Sequence, residues 1–180
     1  MLIECDQSLL FVVDVQERLV PAIFEADRVV ANSLRLIEAA RMLNIPILCS
    51  EQYPKGLGHT VPEVRSRLSN GEIFAKTHFS CARDDVIATA VAATGRRQIV
   101  LCGTESHVCV LQSAFGFKGE GYDVFVVEDA VSSRRPESVT SAVRRLSASG
   151  IGVVTTEMAL FEWIGQAGTE DFKSLRHLFK

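Results

Sequence analysis

Short apolar runs rich in β-branched residues recur along the chain, each bounded by turn formers: Leu9 to Asp14, Ile45 to Ser50, Ile73 to Lys76, Gln98 to Gly103, Asp123 to Glu128 and Gly152 to Thr155. Their apolar residues are consecutive rather than alternating, as in strands covered on both faces. Between most of them the period becomes helical. The longest such stretch, Arg28 to Leu43, spaces Val29, Val30, Leu34, Ile37, Ala40 and Leu43 so that one stripe faces the sheet. Asp84 is placed to cap a helix that reaches Thr94 and stops at Gly95, and Ser106 to Gly116 reads as another. Arg134, Arg135, Pro136 and Glu137 open a further helix that Gly150 ends. This alternation predicts an α/β fold: a three-layer α-β-α, doubly wound, mostly parallel six-stranded sheet in a single domain spanning 1–180.

In a doubly wound sheet, ligands bind outside the carboxyl ends of the strands, where connections diverge to opposite faces. Asp14, Ser50, Lys76 and Gly103 all lie at such ends. The stretch from Glu51 to Pro62 holds two prolines and two glycines and reads as an irregular lid over the crevice. Phe79 and Phe115 read as core. The tail, Thr169 to Lys180, spaces Phe172, Leu175, Leu178 and Phe179 helically, which predicts docking on the domain or on a neighbouring subunit.

Composition narrows the partners. The 180 residues are 47% hydrophobic and 23% charged, enough for one core, and carry a formal net charge of -3 with Lys and Arg scattered. That charge offers no footprint for nucleic acid or an anionic membrane, so a small-molecule substrate or a protein partner is expected. Five cysteines without paired CxxC spacing suggest neither a disulfide framework nor a structural zinc site. The chain begins without a basic stretch followed by a long apolar run, and a cytoplasmic protein is expected.

Cys109 carries the most informative chemistry. It falls in the first turn of the helix after the fourth strand, where backbone N–H groups and the helix dipole are expected to lower its pKa and make it a nucleophile. An ammonium from Lys76 stabilises a thiolate, and the Asp14 carboxylate can accept and return a proton. The backbone N–H of Cys109 and one from the Thr104–Glu105 turn are candidate oxyanion donors.

The segments Phe11 to Gln16, Phe74 to Ser80 and Cys102 to Val110 resemble the three signature blocks of the isochorismatase-like cysteine hydrolases. The stretch Glu51 to Gly58 further resembles the isochorismatase domain-containing subgroup. The resemblance implies Asp14 as general base, Lys76 as the cation of a triad, Cys109 as nucleophile, a cis peptide before Glu105, and the amides of Glu105 and Cys109 as oxyanion donors. It also implies assembly into a homo-oligomer. Nicotinamidases of this family carry an Asp-x-His pair and a further His that hold a metal after the second strand. Here that loop begins Glu51, Gln52 and Tyr53 with only His59 nearby, so no metal and no cofactor is expected.

The reading is therefore a metal-independent cysteine hydrolase of a small amide, imide or related carbon–nitrogen substrate, working through a thioester. Gln16, Tyr53, His78 and His107 are candidate pocket residues. The alternative is an interaction or regulatory module with a vestigial hydrolase site. A receiver domain needs an acceptor Asp where the chain has Lys76, and a dinucleotide-binding oxidoreductase needs a GxGxxG after the first strand, which is missing.

Overall fold

Six strands form one sheet in the computed structural model, which describes residues 1–179. They are β1 (Ser8–Val13), β2 (Ile47–Gln52), β3 (Ile73–Lys76), β4 (Gln98–Thr104), β5 (Asp123–Ser132) and β6 (Gly152–Val154). Their order is β3-β2-β1-β4-β5-β6, and every neighbouring pair is parallel. The helices are α1 (Ala26–Met42), the single turns α2 (Pro54–Leu57) and α3 (Pro62–Arg65), α4 (Asp85–Ala93), α5 (Leu111–Gly119), α6 (Pro136–Ala148), α7 (Thr156–Ile164) and α8 (Glu170–Leu175).

Both faces of the sheet are covered. Leu10, Val12 and Val100 pack with Leu36, Ile37, Leu160, Trp163 and Leu175 on one side. Leu9, Phe11, Val13, Ile99 and Leu101 pack with Ile87, Val91, Phe117 and Leu146 on the other. All six residues of β1 are buried, which explains its unbroken apolar run. Each such side chain contributes about 1.5–3 kcal/mol when fully buried.

Several boundaries differ from the sequence expectation for tertiary reasons. β2 runs on through Glu51 and Gln52, polar residues that find partners inside the fold. The stretch expected as an irregular lid is therefore strand end plus the two turns α2 and α3. It is pinned by an antiparallel bridge between Gln16 and Thr60. α7 was not anticipated, although Thr155 caps it by accepting from the Met158 amide and Gly165 closes it at φ +66. Asp84 caps α4 as expected by accepting from the Ile87 amide at 3.3 Å. The tail docks on its own domain: Leu175 and Leu178 are buried, the Arg35 Nε donates to the Leu178 carbonyl, and Phe179 stacks on Phe161 with ring centroids 4.5 Å apart. Lys180, which the tail reading included, lies outside the described residues. Phe79, expected in the core, is 52% exposed because it follows the end of the edge strand β3.

Where β4 passes β1, its pairing with β5 is irregular between Leu101 and Gly103. Gly103 adopts φ +111, and a Cβ there would stand 2.0 Å from the Val13 carbonyl oxygen. Backbone cannot yield that far, so only glycine fits. Gly103→Ala is expected to lose about 4 kcal/mol or more, read as the urea midpoint by circular dichroism. A midpoint near that of the unsubstituted protein would contradict this packing.

Candidate active site

β1 and β4 are the strands at which the winding reverses, and the chemistry-bearing residues gather at their carboxyl ends. Asp14 follows β1 directly at φ +49, a conformation Asp tolerates better than most side chains. Its backbone is tied to both neighbouring strands, donating to the Ser50 carbonyl at 3.1 Å and accepting from the Thr104 hydroxyl at 2.7 Å.

The Asp14 carboxylate is fully buried. Its Oδ1 accepts from the Ser50 hydroxyl at 2.7 Å and its Oδ2 from the Lys76 Nζ at 2.8 Å. β3 is two strands away from β1, so roughly 9–10 Å separates their backbones, and only a long side chain spans that gap. Lys76 does so across the end of β2, where the Gln52 Oε1 accepts from the same ammonium at 2.7 Å. The carbonyls of His78 and Phe79 lie 3.3 and 3.4 Å from Nζ. Burial pushes the Asp14 carboxyl above its ordinary range, with Lys76 and Ser50 pulling against it. For Lys76 burial acts downward, but the Asp14 carboxylate together with the Cys81 and Cys109 sulfurs outweighs it and holds the ammonium above its usual value.

Cys109 stands 6% exposed in a π-helical turn, Ser106–Val110, that leads into α5. In an α-helix the Cys109 amide would donate to the Glu105 carbonyl. Here that carbonyl is taken by the amides of Val108 at 3.1 Å and Val110 at 3.2 Å, which releases the Cys109 N–H from it. The Thr104–Glu105 peptide is cis, and the Glu105 amide meets no acceptor among the described residues.

The thiol does not titrate as its helical position suggested. Burial and then the adjacent Asp14 carboxylate push Cys109 well above an ordinary thiol, and Lys76 offsets only part of this. Dehydration and a neighbouring negative charge both disfavour the thiolate, so the resting thiol keeps its proton. Cys81, pushed up to about 11 chiefly by burial, lies behind the site with its sulfur 3.5 Å from the Ser50 hydroxyl.

The four residues expected at the pocket fall in different places. Gln16 is instead fully buried as a staple: its Nε2 donates to the carbonyls of Gln52 at 3.0 Å and Gly58 at 2.7 Å, and its Oε1 accepts from the Gln52 amide at 2.8 Å. Tyr53, 55% exposed, sits on the rim of the β2 end at φ +39, and His78 is exposed beyond β3. His107 places its Nδ1 2.9 Å from the Ser133 hydroxyl and lines a cleft of about 430 Å³ with Arg134, Arg135 and Ser138. The Glu105 carboxylate accepts from the Arg134 Nε at 2.9 Å. Sequence reading singled out neither Gln52 as a partner of Lys76 nor the arginines, because nothing in their local spacing marks those contacts.

Glu51 points away from the ion pair. It accepts from the Thr60 amide and hydroxyl, from Arg65 and from His59, which fastens the segment after β2. Among the described residues no three His, Cys, Asp or Glu side chains gather as a metal-ligand set.

A family model described as the isochorismatase domain matches residues 8–158. The chain belongs to the isochorismatase family. Isochorismatase domain-containing protein 2 of Danio rerio is 38% identical over 171 residues, covering 95% of this chain and 86% of that protein. Among solved structures of this family's fold, the MAR1 ribonuclease of Caenorhabditis elegans is 37% identical with a TM-score of 0.91, covering 99% of this chain and 92% of that one. The YcaC gene product of Escherichia coli, an octameric hydrolase of unknown specificity, is 27% identical with a TM-score of 0.93, covering 99% and 89%. The three signature segments of the isochorismatase resemblance all fall inside the matched residues.

Burial acts upward on Glu51, but its hydrogen bonds from Thr60 and its contact with His59 outweigh this and hold the carboxyl below its ordinary value of 4.5. A group depressed in the folded state contributes stability above its unfolded pKa and loses it as the pH falls through the folded one. Glu51→Gln is therefore expected to cost about 1–2 kcal/mol at pH 7. That deficit should shrink as the pH drops below 4.5, followed as paired urea midpoints. A deficit that stays constant to pH 3 would show that the charge of Glu51 contributes nothing.

Proposed function

We propose that the chain is a cysteine hydrolase that opens a small amide, imide or related carbon–nitrogen bond at Cys109. The observation that carries this reading is the fully buried carboxylate–ammonium pair of Asp14 and Lys76 against the Cys109 thiol. Burying two charges is expensive, and both side chains of this pair lie wholly out of water. A proton acceptor held beside a protonated thiol supplies what nucleophilic attack lacks.

As the Cys109 sulfur bonds to the acyl carbon, its proton passes to Asp14 and the carbonyl π pair moves onto oxygen. The Glu105 and Cys109 amides receive that oxyanion, and Lys76 stabilises the negative charge shared by sulfur and carboxylate. When the carbonyl re-forms, the carbon–nitrogen bond breaks and Asp14 returns the proton to the departing nitrogen, leaving a thioester. Water then attacks the thioester while Asp14 takes its proton. Cys109 leaves as sulfur anion, recovers that proton from Asp14, and the acid departs. No step passes through a metal, so turnover should survive dialysis against EDTA.

The ribonuclease named for the C. elegans relative acts on a polyanion. A formal net charge of -3 with scattered cations favours a small neutral or anionic substrate here. We also infer a homo-oligomer, as in the octameric YcaC product. Leu175, Leu178 and Phe179 of the tail are already packed on the chain's own core, so these residues are not what the subunits would share.

Incubation with a panel of amides, imides and N-carbamoyl amines, quenched and read by intact mass, is expected to reveal an acyl adduct on Cys109. Cys109→Ala should abolish both adduct and turnover. Retained turnover in that variant would overturn the mechanism. Because Asp14 must be ionised to accept the proton, kcat/KM should fall with decreasing pH through an acid limb above the ordinary aspartate value of 3.8. A rate flat down to that value would remove Asp14 as the base.

A further inference from the structure

Lys76 enters the site from the edge strand across another strand, and its long, freely rotating side chain needs something to hold it there. Its close acceptors are the Asp14 Oδ2 at 2.8 Å and the Gln52 Oε1 at 2.7 Å. The Gln52 amide cannot turn over without loss, because its Nε2 donates to the Thr77 carbonyl at 2.8 Å. Gln52 is itself held at the backbone, where the Gln16 amide pairs with both its N–H and its carbonyl. A buried side-chain amide fixed at both ends thus presents one oxygen to one ammonium.

We propose that Gln52 is the positioning residue for Lys76, aiming the ammonium at Asp14 and Cys109 with a neutral oxygen that leaves Asp14 as its sole carboxylate partner among the described residues. The inference rests on the reading of Asp14, Lys76 and Cys109 as the reacting groups. The neutrality matters because the titratable groups facing Lys76 are Asp14 from the end of β1, Cys81 from the segment after β3 and Cys109 from the π-helical turn. A second carboxylate there would divide the ammonium between two anions and make the thiol harder to ionise.

The test uses the full chain and iodoacetamide, with the alkylation rate of Cys109 followed against pH by peptide mass spectrometry. Gln52→Met keeps the length of the side chain and removes both polar ends. It is expected to slow Cys109 alkylation at pH 7 by roughly tenfold and to move the midpoint upward, with an unchanged circular dichroism spectrum. A double-mutant cycle separates positioning from general packing: in a Lys76→Met background, adding Gln52→Met should change nothing further. Should Lys76→Met fail to fold with Asp14 left unpaired, the Asp14→Asn, Lys76→Met pair removes both charges and serves as the background.

Wild-type alkylation in Gln52→Met, or an effect that persists undiminished once Lys76 is gone, would overturn the proposal. Failure of the underlying reading looks different. In that case Lys76→Met and Asp14→Asn themselves leave Cys109 alkylation unchanged.

Discussion

The carboxyl-terminal edge of the sheet is organised around one fully buried ion pair, Asp14 with Lys76. Removing either partner of such a pair typically costs about 3–5 kcal/mol, because the survivor is left charged and dehydrated. The surroundings are built accordingly. Ser50 and Gln52, both from the strand between the two partners, supply further side-chain hydrogen bonds, and Asp14 is held at the backbone from both sides. The pair thus couples β1, β2 and β3 at their ends, while β4 adds Thr104 and the turn that carries the thiol.

Keeping Cys109 protonated at rest has a chemical logic. A thiolate exposed to oxidants climbs readily toward sulfenic acid, whereas a buried neutral thiol is inert. In the proposed mechanism, a proton acceptor held beside the thiol, rather than a proton removed in advance, confines nucleophilicity to the moment a carbonyl carbon arrives. The π-helical turn diverts the Glu105 carbonyl to Val110 and leaves the Cys109 amide out of that bond, which is where the proposed mechanism needs a donor for the oxyanion.

Much of this was legible in the residue order. Unbroken apolar runs marked the strands, Asp14 and Lys76 each stood where a strand gives way to a turn, and Cys109 stood in the first turn of the helix after the fourth strand. What the order could not carry was environment. The direction of the Cys109 shift depends on burial and on Asp14, which is distant in sequence, so a local argument from the helix dipole reached the opposite sign. Glu51 and Gln52 looked like loop because they are polar, yet each is satisfied by residues that only the fold brings near. Gln16 looked like a pocket residue for the same reason, and its amide is consumed in holding β2. Phe79 shows the converse error: an aromatic ring reads as core, but the edge position of β3 leaves it in solvent.

Gln52 and Lys76 are also register partners, directly opposite each other in the parallel pairing of β2 with β3. Side chains alternate faces along a strand, so sliding β3 by a single residue would carry the ammonium to the far side of the sheet. The site is therefore indexed by the hydrogen-bond ladder in the manner of a ruler. Its alignment is as exact as strand pairing itself, because the position of the charge is set by the ladder and not by the outer helices.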